Sequence, residues 1–105
     1  MCIRDRVTAS VDFLPDNIHY APDGSLYVTG QNVDPKHLLA GCPGGNCQHG
    51  TTILKLDPRT MKTRVIARLT PNATFSDGTT ALQIGDTIFI GSYRGDAVAY
   101  MKAPK

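Results

Sequence analysis

The chain has 105 residues, 41% of them hydrophobic and 19% charged, which is the size of one domain or a piece of one. Eleven Lys and Arg against nine Asp and Glu leave a formal charge of +2, spread without a basic run or an interleave of arginine and aromatic residues, so electrostatic capture of nucleic acid or of an anionic membrane is not expected. No stretch approaches the roughly 18 to 20 apolar residues of a spanning helix, and ten Gly with seven Pro mark the frequent turns that many short strands require.

The opening Met1-Cys2-Ile3-Arg4-Asp5-Arg6 begins no element. It resembles the short leader produced when sequencing-adapter DNA is translated at the head of a metagenomic fragment, in which case the protein starts upstream and Cys2 drops out of the cysteine arithmetic; a genuine polar tail is the other reading. Beyond it, runs of alternating, β-branched and aromatic residues bounded by Gly, Pro or Asp predict strands at 7–13, 18–21, 25–29, 51–56, 63–69, 79–84, 87–91 and 97–101. No window of similar length carries a 3.6-residue apolar period, so the expected class is all-β. Pro22-Asp23-Gly24 and Gly85-Asp86 read as tight hairpin turns, and Asp57-Pro58-Arg59-Thr60 as a longer one.

The chain also repeats itself. Asp16 through Gly30 can be laid without a gap on Asp77 through Gly91, each residue 61 positions on, while Ile53 matches Val98, 45 positions on. The first copy therefore carries about 16 extra residues, the Cys, Gly and Pro-rich stretch at 31–50. Without it the period is about 45 residues with up to four strands, the spacing of β-propeller blades. On that reading 7–13 is the outer strand of a preceding blade, 16–70 a four-stranded blade with the insertion, and 77–102 a final blade lacking its fourth strand. A propeller needs at least about four blades to close, so the expectation is a C-terminal fragment, 7–105, of a larger domain.

Leu14-Pro15-Asp16-Asn17-Ile18, followed by Pro22-Asp23-Gly24-Ser25-Leu26-Tyr27-Val28, resembles a blade of the six-bladed propellers that include paraoxonase-type arylesterases, the SMP-30 and gluconolactonase family and strictosidine-synthase-like proteins. Gly78-Thr79-Thr80-Ala81, Ile88-Phe89-Ile90-Gly91 and Ala97-Val98-Ala99-Tyr100 resemble the last blade of the paraoxonase branch. The resemblance implies a calcium-dependent hydrolase of small-molecule lactones or esters in the complete form, with the fragment itself inactive; the alternative is a non-catalytic propeller that binds a ligand or a partner. It also implies Asp16 and Asn17 as ligands of Ca²⁺ or another divalent ion, and hard carboxylate and amide oxygens suit that ion. An Asx turn after Pro15 is the structural alternative. Asn32 stands where paraoxonases place a pocket-lining His, and Met101 where they place a Cys, which puts a paraoxonase-like substrate in doubt. Asp77, followed by Gly78, is expected to turn the chain, with pocket contact as its lesser role. The remaining ligands and the general base are expected in other blades.

In Cys42-Pro43-Gly44-Gly45-Asn46-Cys47 the glycine pair lets the chain fold back, and a local disulfide between Cys42 and Cys47 would imply an oxidising, extracytoplasmic compartment. A metal knuckle using His37 and His49 and a pair of free thiols are the other readings. His19, on the strand after Asp16, reads as a strand residue rather than a base. No phosphate loop, dinucleotide fingerprint or serine nucleophile elbow is present.

Overall fold

The computed structural model describes residues 8–32, 49–72, 74–93 and 97–104. The leader, the Cys42–Cys47 pair and His37 lie outside them. Seven strands follow one another: β1 (Leu14–Tyr20), β2 (Leu26–Gln31), β3 (Thr51–Leu56), β4 (Thr63–Leu69), β5 (Gly78–Ile84), β6 (Thr87–Ser92) and β7 (Ala99–Lys102). They form two antiparallel meanders, β1-β2-β3-β4 and β5-β6-β7, each strand pairing with its sequence neighbour. Among the described residues no helix is long and apolar enough to cross a membrane.

The turns follow their chemistry. In the first hairpin Gly24 takes φ 88° at no steric cost, its N–H donates to the Ala21 carbonyl at 3.0 Å, and Ser25 N and Oγ both donate to Asp23 Oδ1. In the second, Gly85 supplies the positive φ of 63°. At the third, Asp57 Oδ1 accepts the Arg59 N–H at 2.9 Å, and the chain closes with Met61 in the left-handed region at φ 62°.

Lys55 on β3 reaches back to Asp23 at 2.8 Å, and this hydrogen bond, helped by those from Ser25, holds the Asp23 carboxyl well below the usual carboxylate range. A depressed acid stabilises the fold above its unfolded value of about 4 and loses that contribution as pH falls further. Both groups meet solvent, so Lys55→Met should cost no more than about 0.5 kcal/mol at pH 6. The difference from wild type should be full above about pH 4 and smaller at pH 2, where the carboxyl is protonated in the unfolded chain while its depressed folded value keeps part of the pairing, as paired urea titrations at pH 6 and pH 2 would show.

The two sheets stack face to face. Tyr27, Ile53 and Ala21 of the first meet Ala81, Ile88 and Ile90 of the second, and Ile53 and Ile88 are completely buried. The Tyr27 hydroxyl crosses the interface to Gln83 Oε1 at 2.6 Å. The first sheet's other face, Val28, Leu54 and Leu56, is covered by Phe13, with Ala9 and Val11 packed alongside. Residues 8–13, expected as the end of an outer strand of a preceding blade, pair with no described strand of this chain and lie over that face as an apolar strap, with Phe13 buried in the cluster. β1 starts earlier than the predicted 18–21 and takes in Pro15, which an edge strand accepts because a missing N–H there need cost no ladder bond.

The repeat also needs correction. β1 carries a bulge between Pro15 and Asn17, and β5 carries one between Gly78 and Thr80. Superposing the bulges sets Asp16 on Thr79, 63 positions on, Val28 on Ile90, 62 on, and Leu54 on Ala99, the expected 45 on. The gapless match of 61 keyed on turn residues, but the hairpin loops differ in length, and a one-residue slip sends every side chain to the opposite face. In the corrected register Asp77 corresponds to Leu14 rather than to Asp16. The face of the first sheet that the second covers, Tyr27 and Ile53, now corresponds to Phe89 and Val98, which are 40% and 70% exposed.

Candidate functional site

The strands place the polar residues of interest at one end of the stack, where β2 finishes and β1, β3 and β5 begin. In a regular strand Asp16 and Asn17 would point to opposite faces. The bulge turns them to the same side, and Asn17 Nδ2 donates to Asp16 Oδ1 at 3.1 Å and to the Thr79 carbonyl of the facing sheet at 3.0 Å. Gln31, only 2% exposed, donates through Nε2 to the Gly78 carbonyl at 2.7 Å and more loosely to Asp16 Oδ2 at 3.3 Å. A buried amide stays satisfied by bridging the sheets, and in doing so it fixes the carboxylate. Asp16 keeps lone pairs outward, because a carboxylate can accept about four hydrogen bonds and two are made. Asn17 spends its amide nitrogen and leaves its carbonyl oxygen. These two oxygens fit part of a calcium shell, whose six to eight ligands would need further donors. Among the described residues no three His, Cys, Asp or Glu side chains converge.

A second cluster adjoins the first through Gly78. Asp77 has φ 54° and is completely buried, a conformation that Asp tolerates better than most residues. Its Oδ1 lies 2.8 Å from His49 Nδ1, its Oδ2 accepts the His49 N–H at 3.2 Å, and its own N–H donates to the His49 carbonyl at 2.8 Å. The Tyr93 hydroxyl stands 3.5 Å from Oδ1. Beside them the Gly78 N–H donates to Thr51 Oγ1 at 2.8 Å, and a Cβ at Gly78 would come within 2.4 Å of the Thr51 methyl. The backbone of β5 can approach β3 this closely only at glycine.

Asn32 does not join this group. Its Oδ1 accepts from the Thr52 hydroxyl, which Arg68 also reaches at 3.1 Å while pairing with Asp12 at 2.8 Å. Thr52 alternates with Thr51, so this chain lies across the sheet from the Gln31 bridge. His19 is exposed on β1 opposite Tyr27. The disulfide residues Cys42 and Cys47 lie outside the described residues, so the structure does not relate them to the site. At the far end of the stack an open cavity of about 710 Å³ is lined by Asp23, Lys55, Asp57, Arg59 and Arg64. Lys55 pairs with Asp23 and Arg59 with Asp57, and Lys62 beside Arg64 adds positive charge to the lining.

Sequence reasoning missed Gln31 as a bridge and left Asp77 with a turn role. The bulges have no signature in residue type, and the Asp77–His49 pair joins residues 28 positions apart. Comparison of the chain with protein-family models, with curated proteins and with solved structures finds no match.

Proposed function

We propose that the chain is the C-terminal part of a six-bladed β-propeller of the SMP-30 and paraoxonase-like group, whose complete form hydrolyses lactones or esters with the help of calcium. The observation that carries the reading is the bulge that turns Asp16 and Asn17 to one side, beside the matching bulge of the next sheet. Two further features support a propeller. The meanders stack with the face pattern of successive blades, and the second sheet leaves open the face that corresponds to the covered face of the first. A bound calcium ion would polarise the substrate carbonyl; Asp16 and Asn17 would hold it, and Gln31 would keep Asp16 in place.

The test is calcium affinity of the complete protein. Asp16→Ala removes a formal charge from the shell and should weaken binding on the order of a hundredfold, while Asn17→Ala removes one neutral donor and should cost on the order of tenfold. Titration calorimetry with calcium alone reads both. Unchanged affinity in Asp16→Ala dismisses the metal role and leaves Asp16 as a bulge residue. Calcium binding by a wild type that hydrolyses no lactone or aryl ester favours a ligand-binding propeller.

A further inference from the structure

We propose that His49 is the general base of this site and that Asp77 is the residue that positions it, an assignment that rests on the hydrolase reading. The backbone groups of His49 and Asp77 are already tied by the Asp77 N–H to His49 carbonyl bond and by Oδ2 to the His49 N–H. A purely architectural latch would need nothing more. The second carboxylate oxygen is spent on the imidazole, 2.8 Å from Nδ1. A carboxylate at that nitrogen fixes the proton on Nδ1 and leaves the lone pair on Nε2, the arrangement that lets an imidazole accept a proton from water.

Three further features fit this role. The carboxylate is completely buried while the His49 side chain keeps 19% of its exposure, so the orienting group is shielded from solvent and the side chain it orients is not. Asp77 is held at φ 54° between β3 and β5, and backbone strain of that kind gathers at functional sites. The pair also adjoins the Asp16 cluster, since Gln31 bonds both Asp16 and the carbonyl of Gly78, the residue after Asp77. Among the described residues the Tyr93 hydroxyl also approaches the Asp77 carboxylate, at 3.5 Å, and Thr51 of β3 holds the adjoining Gly78 N–H.

The step balances without a redox partner. Nε2 takes a proton from water as the water oxygen bonds to the acyl carbon, and the carbonyl π pair moves onto its oxygen. That pair returns as the bond from carbon to the leaving oxygen breaks, and the leaving alkoxide takes the proton back from Nε2. A lactone yields its hydroxy acid, and the imidazole is regenerated.

The assignment is tested on the complete protein with a panel of lactones and aryl esters. His49→Gln should lower kcat by about 100-fold or more, with KM and calcium affinity little changed. Asp77→Asn, which keeps the left-handed backbone, should lower kcat at least tenfold by presenting the wrong tautomer. Nitrogen-15 NMR of histidine-labelled wild type, assigned by difference from His49→Gln, should show the proton on Nδ1. A His49→Gln enzyme within threefold of wild type, or a wild-type His49 protonated on Nε2 alone, overturns the assignment and leaves the hydrolase reading standing. A wild type that hydrolyses none of the panel overturns the hydrolase reading, and the base with it.

Discussion

Gly30→Ala should destabilise the chain by at least about 3 kcal/mol, near the upper end of single-substitution effects. Gly30 lies opposite Pro15 beside the β1 bulge, and a Cβ there would sit 1.8 Å from the Leu14 carbonyl oxygen and 2.9 Å from the Pro15 Cα. Both obstacles are backbone, so no rotamer change relieves them and β1 must move away from β2. The loss would displace Asp16 and Asn17 along with the strand. Gly24→Ala makes the control, because its added methyl meets nothing within 4 Å and pays only for φ 88°, about 1 kcal/mol. Urea unfolding of the chain ranks the two; a Gly30→Ala loss below that of Gly24→Ala would dismiss the close approach of the strands.

The second large effect separates the two faces of the β5-β6-β7 sheet. Ile88→Ala should cost about 3 kcal/mol, because Ile88 is completely buried where the sheets meet and the methyl groups removed leave a cavity between two rigid layers. Phe89, the next residue, points the other way and is 40% exposed, with its ring centroid 6.4 Å from that of Tyr100. Tyr100→Ser should change stability by no more than about 0.5 kcal/mol, since surface substitutions generally fall within that range. It should also reduce binding of a hydrophobic dye, because Leu82, Phe89 and Tyr100 form one apolar row across the sheet. Equal losses in the two variants would mean that the faces are not distinguished as described.

Much of the strand order could be read from residue pattern alone. The predicted strands at 51–56 and 63–69 coincide with β3 and β4, because each is a β-branched or alternating run closed by unambiguous turn residues. The hairpins at Asp23-Gly24 and Gly85-Asp86 were equally legible, since a positive φ has few residues to choose from. What pattern could not reveal was parity. Both copies carry the bulge, but their hairpin loops differ in length, so a gapless match keyed on the turns set Asp16 against Asp77, two residues off on the first strand and one off on the second. The segment 8–13 has the alternation of a strand, but its apolar residues are used to cover Val28 and Leu54, and alternation alone does not say whether a run pairs or packs. At the site, Asp16 and Asn17 stood out by residue type, whereas Gln31 and His49 acquire their meaning from partners that only the stacking of the sheets brings near.

The bulge at Asp16 also changes what kind of sequence change the site can absorb. Insertions and deletions ordinarily fall in loops, and strands vary by substitution. Here the extra residue sits inside β1, so loss of Pro15 would return the strand to a regular ladder, send Asp16 and Asn17 to opposite faces and leave composition and hydrophobicity almost untouched. Chain length at this point, more than side-chain identity, decides whether two adjacent residues can act as a pair, and the site can therefore be erased by an event that a residue-by-residue comparison would score as minor.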